Sequence, residues 1–140
     1  MSEISQILPH TGSLIRRAQQ RHAAEWARVV STTITSVQFA ALAFLASMPG
    51  ASQRELGDAL DVDRSTVADL SARLERNGLV VREQDQIDRR RNVLRLTPVG
   101  IDEVKRLRPL VDLLEQEMTR FLSKDEVADL QRLLRGLLQS

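Results

Sequence analysis

The 140-residue chain contains no tyrosine and no cysteine, and the absence of cysteine excludes several kinds of chemistry. Without thiols it can form no disulfide, no thiolate metal site and no cysteine nucleophile, and it cannot sense oxidants through a thiol. The two histidines, His10 and His22, are far apart and have no cysteine near them, which is a poor pattern for a metal site. We therefore expect neither a metal nor a cofactor.

Long apolar runs are also missing. The first ten residues, MSEISQILPH, have neither the basic start nor the continuous apolar stretch of a signal peptide. No window approaches the roughly 18 apolar residues that a membrane span requires. We therefore expect a protein of the cytoplasm that has no membrane partner.

Motifs for catalysis are absent as well. The sequence has no glycine-rich phosphate loop, no H-E-x-x-H and no G-x-S-x-G. Its two histidines flank one predicted helix, and neither has a cysteine or a recognisable nucleophile motif beside it. The sequence therefore predicts a protein that is not an enzyme.

Charge is informative only through its distribution, because the formal net charge is just +1. The segment from Arg64 to Arg95 carries eight basic and five acidic residues, whereas Thr97 to Ser140 carries seven basic and eight acidic ones. A local basic excess indicates where a phosphate partner would bind. The excess falls on the middle of the chain.

The first half of the chain is rich in helix signals. Apolar residues recur at helical spacing over 12–31, which predicts a long first helix. Capping boxes at Thr35 (TSVQ) and Ser52 (SQRE) begin two more helices, the first of which ends at the Pro49-Gly50 break. Asp63 can cap a fourth helix, and two short helices separated by residues 61–63 are typical of a helix-turn-helix.

A β-hairpin follows this motif. Gly78 is placed to end the fourth helix in a left-handed conformation, and the short β-capable runs 79–82 and 93–96 can pair. The hairpin and its tip carry five arginines against three acids: Arg82, Arg89, Arg90, Arg91 and Arg95 against Glu83, Asp85 and Asp88. The order of helix, glycine stop and hairpin predicts a winged helix with a charged wing.

The C-terminal part is predicted to be helical. Thr97-Pro98 is an N-cap followed by proline at the first helical position, and Ser123 opens another capping box, SKDE. The fold class is therefore mainly α with a small β-hairpin wing: a winged helix-turn-helix with additional N- and C-terminal helices. We divide the chain into residues 1–34, 35–100 and 101–140, with the middle part binding DNA.

The start of the fourth helix has the chemistry of a recognition helix. Its free N–H groups favour a nearby phosphate, and a helix in the major groove offers its first turn to the base edges. Here that turn is Arg64, Ser65 and Thr66, while Arg73 and Arg76 lie further along and suit phosphates. The alternative is an ordinary first turn with a solvated basic face.

The wing tip combines arginines with carboxylates. A carboxylate two residues before an arginine can hold the guanidinium in one orientation, which lowers the entropy lost when it enters a narrow minor groove. We therefore expect Asp88 to orient Arg90 for insertion, with Arg89 and Arg91 also contacting DNA. The alternative is a salt-bridged tip that has no partner.

Over nearly its whole length the sequence resembles the MarR family of bacterial transcriptional regulators. The matching stretches are 56–60, 63–67 (DRSTV), 74–80 (LERNGLV), 88–90 (DRR) and 94–100 (LRLTPVG). The resemblance implies a homodimer whose two winged helices bind a palindromic operator in double-stranded DNA, and it favours a repressor. It also implies a dimer interface formed by the Ile4–Leu14 region and residues 107–138, and it places Arg90 in the minor groove.

Asp69 departs from the family pattern, in which a basic or neutral polar residue often occupies this place. A carboxylate facing DNA is repelled by phosphates, so it must accept from a cytosine amino group, pair with Arg73, or point away. We expect the pair with Arg73. Asp69 also keeps a rival open: a winged-helix module that binds proteins and has no specific DNA binding.

The resemblance further implies a small-molecule effector, commonly a phenolic or other anionic aromatic compound, bound between the dimer region and the winged helix. The candidate ligand-binding residues are His10, Arg16, Arg17, His22, Trp26 and Phe39. The alternative is that Trp26 and Phe39 belong to the core and that both histidines lie at the surface.

Overall fold

The computed structural model describes residues 10–139; residues 1–9, and with them Ile4 of the expected interface, lie outside the described part. In chain order the helices and strands of this part are α1 (Thr11–Val29), α2 (Ser36–Ser47), β1 (Ala51–Ser52), α3 (Gln53–Leu60), α4 (Arg64–Arg76), β2 (Val80–Gln84), β3 (Asn92–Leu96), α5 (Pro98–Met118) and α6 (Lys124–Leu137). The predicted fold class, mainly helical with a hairpin wing, is confirmed. None of these helices is apolar over a length that would cross a membrane.

Side-chain caps fix where the helices begin. Thr35, Ser52 and Ser123 each accept from the backbone N–H three residues on and form complete capping boxes. Thr97 caps α5, and Pro98 occupies its first turn. Each of these caps depends only on residues within one turn, so local sequence is sufficient to predict it.

The wing is a three-stranded antiparallel sheet in the order β1-β3-β2. Strands β2 and β3 pair from Val80 opposite Leu96 to Gln84 opposite Asn92. The two-residue strand β1 pairs with β3 and joins the wing to the start of α3. The sequence did not predict β1, because a two-residue strand is too short to show an alternating pattern.

The hairpin is joined closely to α5. The Thr97 hydroxyl donates to the Gly78 carbonyl at 2.5 Å, and the Thr97 N–H donates to the Leu79 carbonyl at 3.0 Å. Gly78 has φ +74, so it adopts the predicted left-handed conformation. A Cβ on Gly100 would lie 2.1 Å from the Leu79 carbonyl oxygen, so only glycine permits this approach.

One core joins α1 to the winged helix. Its fully buried leucines come from α2, α3, α4, β3 and α5: Leu42, Leu45, Leu56, Leu74, Leu94 and Leu107. Trp26 of α1 completes this core, and its indole N–H donates to the Ile34 carbonyl at 2.7 Å. The winged helix is therefore a rigid support for the side chains on its surface.

Helix α6 contrasts with this core, because none of its residues is buried. Its leucines nevertheless share one side: Leu130, Leu133, Leu134 and Leu137 are 41%, 58%, 41% and 58% exposed. Together with α1 and the end of α5, this side borders a groove of about 1030 Å³. An apolar side of this extent is typical of a surface that another chain covers.

Candidate nucleic-acid interface

The first turn of α4 is held by its cap. The Thr66 N–H donates to the Asp63 carboxylate at 2.7 Å, and the Ser65 hydroxyl donates to the same oxygen at 3.1 Å. Hydrogen bonds from the side chain and backbone of Thr66, and then from Ser65, hold the pKa of Asp63 below its usual value. Because the Ser65 hydroxyl proton is donated to Asp63, the hydroxyl oxygen can still accept a hydrogen bond, for instance from a base amino group.

The outward side of α4 carries the residues predicted to bind DNA. Helical geometry places Ser65, Asp69 and Arg76 opposite the buried stripe that contains Val67 and Leu74. All six predicted residues of this helix are exposed: Arg64, Ser65, Thr66, Asp69, Arg73 and Arg76. The helix can therefore present them to a groove without rearrangement.

The expected ion pair between Asp69 and Arg73 is wrong. Within residues 10–139, Asp69 forms no ion pair, and both side chains are exposed. An exposed pair gains little Coulomb energy in water and loses side-chain entropy, so one turn of separation does not ensure it. Asp69 faces outward, and its acceptance from a cytosine amino group stays a prediction.

The wing tip, residues 85–91, ends in a tight turn. The Arg91 N–H donates to the Asp88 carbonyl at 3.0 Å, which closes a four-residue turn, and the Asp85 N–H donates to the Arg91 carbonyl at 2.9 Å. Arg89 and Arg90 are the two central residues of this turn. Both are exposed, so they form the outermost basic part of the wing.

Asp88 contacts Arg90 as the sequence predicted. Its Oδ1 accepts from the Arg90 backbone N–H at 3.1 Å and lies 3.3 Å from the Arg90 Nε. The Arg90 side chain is still 92% exposed. The carboxylate thus orients the guanidinium while leaving its terminal nitrogens open to a partner.

Two other arginines of the wing pair with acids. Arg82 of β2 lies 3.5 Å from Glu75 near the end of α4, and Arg95 of β3 lies 3.3 Å from Glu83 of β2. The first pair joins the wing to the recognition helix, and the second spans the hairpin. These guanidinium groups are thus engaged within the chain.

Arg91 does not point outward with its neighbours. Its guanidinium forms an ion pair with Glu55 of α3 and lies 3.7 Å from Asp85. Arg89, in contrast, has no acidic partner anywhere in residues 10–139. The structure therefore separates the three consecutive arginines into two that are available and one that is engaged.

Sequence reasoning missed the roles of Glu55 and Glu75. Glu55 was recognised only as the end of a capping box, and Glu75 only as part of a family motif. Their partners, Arg91 and Arg82, lie on the wing, so only the tertiary fold brings the charges together. No local pattern could have identified these pairs.

The candidate ligand residues do not all line one groove of the single chain. Trp26 and Phe39 are buried in the core with ring centroids 6.0 Å apart, and a role of either in ligand binding stays a prediction. His22 is half-buried with its ring 6.0 Å from Trp26, and both border the groove beside α6. His10 precedes α1 and is exposed, as is Arg16, while Arg17 is half-buried; these three lie outside the groove lining.

The geometry defines a winged helix-turn-helix protein with an exposed recognition helix and a basic wing tip. The sequence profile of the MarR family matches residues 34–91. The PcaV transcriptional regulator of Streptomyces coelicolor, solved with its natural ligand, is 37% identical, with a TM-score of 0.91 over 99% of this chain and 97% of PcaV.

Two proteins of Escherichia coli extend this agreement. The transcriptional regulator HosA is 31% identical over 90% of this chain and 93% of HosA. A cysteine-to-serine variant of MarR, solved with operator DNA, is 30% identical, with a TM-score of 0.85 over 99% of this chain and 100% of MarR. The chain belongs to the MarR family and is a transcriptional regulator. This family and these relatives are regulators rather than enzymes.

Proposed function

We propose that the chain acts in the cytoplasm as a homodimeric repressor that binds a palindromic operator and catalyses no reaction. The observation that carries the proposal is the joint exposure of the α4 first turn and of Arg89 and Arg90 on one rigid winged helix. The first turn suits base edges in a major groove, and an extended arginine suits the adjacent minor groove. MarR, which shares this fold, has been solved with operator DNA.

The exposed leucines of α6 support the homodimer. In the proposed dimer, residues 1–34 and 101–140 of the two copies cover each other, and residues 35–100 bind DNA. Leu14 and Ile15 of α1, 48% and 45% exposed, border the same groove as the α6 leucines. A two-fold axis would place the recognition helices about 34 Å apart, matching half-sites in successive major grooves.

Salt-dependent binding to duplex DNA tests this function. We expect the wild-type protein to select a palindrome from a random duplex pool, and its binding constant to fall steeply as salt rises, because each phosphate contact releases counterions. Single-stranded DNA of the same sequence is the control. A protein that ignores duplex DNA at low salt would instead favour the protein-interaction module.

We also propose that a small aromatic or anionic ligand releases the operator. PcaV was solved with its natural ligand, and in this chain His22 and Trp26 supply polar and aromatic groups at the side of an otherwise largely apolar groove. A ligand bound there would contact α1 near Trp26, which packs against Phe39 of α2, so it would lie where the proposed dimer region meets the winged helix. It can shift the spacing of the two winged helices only by as much as its affinity differs between the two arrangements.

Fluorescence can test this effector, because Trp26 is the single tryptophan of the chain. We expect hydroxybenzoates, used as probes, to quench Trp26 emission and to release the operator over the same concentration range. His22→Ala should weaken both effects. Arg16→Ala, on the exposed side of the same helix, is the matched control. Quenching without release would show a bound compound that is not an effector.

A further inference from the structure

The wing tip is joined to the helix-turn-helix through Arg91. Arg91 is the last residue of the turn that begins at Asp88, so the chain has already reversed there and the side chain faces α3. Its ion pair with Glu55 is the one salt bridge within residues 10–139 that links the tip to α3.

Beyond the strand pairing of β1 with β3, the tip faces α3 across an open space. A cavity of about 500 Å³ separates it from the start of α3. Its lining is Ser52, Gln53, Arg54 and Glu55 from the helix-turn-helix and Asp88, Arg90, Arg91 and Asn92 from the wing. Within residues 10–139 the lining of this space is polar or charged, so the Arg91 ion pair is the one salt bridge across it, in addition to the backbone pairing of Ser52 with Val93.

The Glu55 carboxylate that pairs with Arg91 is itself held in place by the capping box of α3. The Ser52 N–H donates to the Glu55 carboxylate at 3.3 Å, and the Glu55 N–H donates to the Ser52 hydroxyl at 3.0 Å. Ser52 is also paired with Val93 of β3. The carboxylate that receives Arg91 is therefore fixed by the helix start and by the sheet together.

The position of α3 in turn fixes that of α4. Gly57 of α3 is buried, and a Cβ there would lie 3.3 Å from the Val67 side chain of α4, so the two helices pack closely. A restraint between the tip and α3 is consequently a restraint between Arg90 and the recognition helix. Arg90 is next to Arg91 in the chain, and among the described residues its one ion pair is with Asp88, inside the tip.

We infer that Arg91 is a positioning residue for DNA binding and makes no phosphate contact of its own. Through Glu55 it holds the tip so that Arg90 stands at a fixed distance from the first turn of α4. This inference rests on the proposed function, because it concerns how that function is achieved. Holding the tip in advance lowers the entropy that operator binding would otherwise cost.

A double-mutant cycle distinguishes this role from a phosphate contact. Glu55→Gln removes the charge but keeps an oxygen that can accept from the Ser52 N–H, and Arg91→Gln removes the guanidinium. We expect each variant to lower operator affinity about three- to tenfold, and the double variant to lose no more than either single one. The salt slope should equal that of the wild type, because no phosphate contact is lost.

Glu83→Gln is the matched control. It removes one negative charge from the wing and breaks the Arg95 pair, but it leaves the tip alone. Because losing an acid near DNA should by itself raise affinity, a decrease with Glu55→Gln against an increase with Glu83→Gln isolates the positioning effect. Circular dichroism should show the same folded helix content for all variants.

Hydrogen exchange supplies a readout that needs no DNA. The amide protons of Asp85 and Arg91 should exchange faster in Glu55→Gln and Arg91→Gln, and at the wild-type rate in Glu83→Gln. The inference is overturned if Glu55→Gln leaves affinity equal or higher while Arg91→Gln reduces the salt slope by about one, which is the signature of a phosphate contact. Unchanged exchange at the tip also overturns it. If the wild-type protein showed no salt-dependent binding to duplex DNA, the proposed function would be refuted instead. Hydrogen exchange would still show whether the Arg91–Glu55 pair holds the tip.

Discussion

Arg90→Ala is expected to lower operator affinity about 100-fold and to reduce the salt slope by about two. The proposed dimer carries two wings, so each substitution removes two inserted guanidinium groups from one complex. A good arginine contact in a groove is worth roughly 1–3 kcal/mol, and the minor groove of A·T-rich DNA strengthens it through its negative potential. Filter binding or fluorescence anisotropy over a series of salt concentrations measures both quantities.

The size of this effect follows from the geometry of the tip. The Arg90 side chain is 92% exposed, and its one ion pair within residues 10–139 is with Asp88, so its loss removes nothing from the core. Thermal unfolding should therefore be unchanged within error. Asp88→Asn should give a smaller loss, because it releases the guanidinium without deleting it.

Arg95→Ala is the control for Arg90→Ala. It removes the same charge from the same hairpin, but its guanidinium is paired with Glu83 and lies on a strand. We expect its affinity to stay within a few-fold of the wild type. Equal losses for the two variants would mean that the wing acts through its general charge, and the assignment of Arg90 to the minor groove would then be wrong.

The parts of the fold that the sequence could predict are those with local causes. Each helix cap depends on residues within one helical turn, and the end of α4 depends on the single residue Gly78. The hairpin depends on two β-capable runs that are close in sequence. The contact between Asp88 and Arg90 belongs to the same class, because the two residues are only two positions apart and one turn brings them together. Local chemistry therefore sufficed for the most exposed part of the candidate site.

The parts that could not be predicted depend on distant partners. Arg89, Arg90 and Arg91 look equivalent in sequence, yet only the third meets Glu55, which lies on another element. The expected Asp69 pair with Arg73 failed for the opposite reason: spacing permits such a pair, but exposure to water leaves too little energy to require it. Sequence thus locates charged groups more reliably than it identifies their partners.

Leu133→Glu combined with Leu137→Glu is expected to convert the protein to a monomer and to abolish operator binding at nanomolar concentrations. Both leucines are 58% exposed in the single chain, so the monomer's core does not depend on them. A fully buried leucine contributes roughly 1.5–3 kcal/mol, and the dimer would lose four of them and bury new charges. The dimer dissociation constant should therefore rise by at least about 1000-fold.

Sedimentation velocity at micromolar concentration measures the dimer, and circular dichroism shows whether α6 stays helical. Val99→Glu is the matched control, since Val99 is 57% exposed but lies at the start of α5 beside the wing, away from the groove. It should remain dimeric. A dimer that survives both α6 substitutions would place the interface elsewhere. A monomer that keeps full operator affinity would show that one winged helix suffices, and the two-fold spacing of about 34 Å would then have no part in recognition.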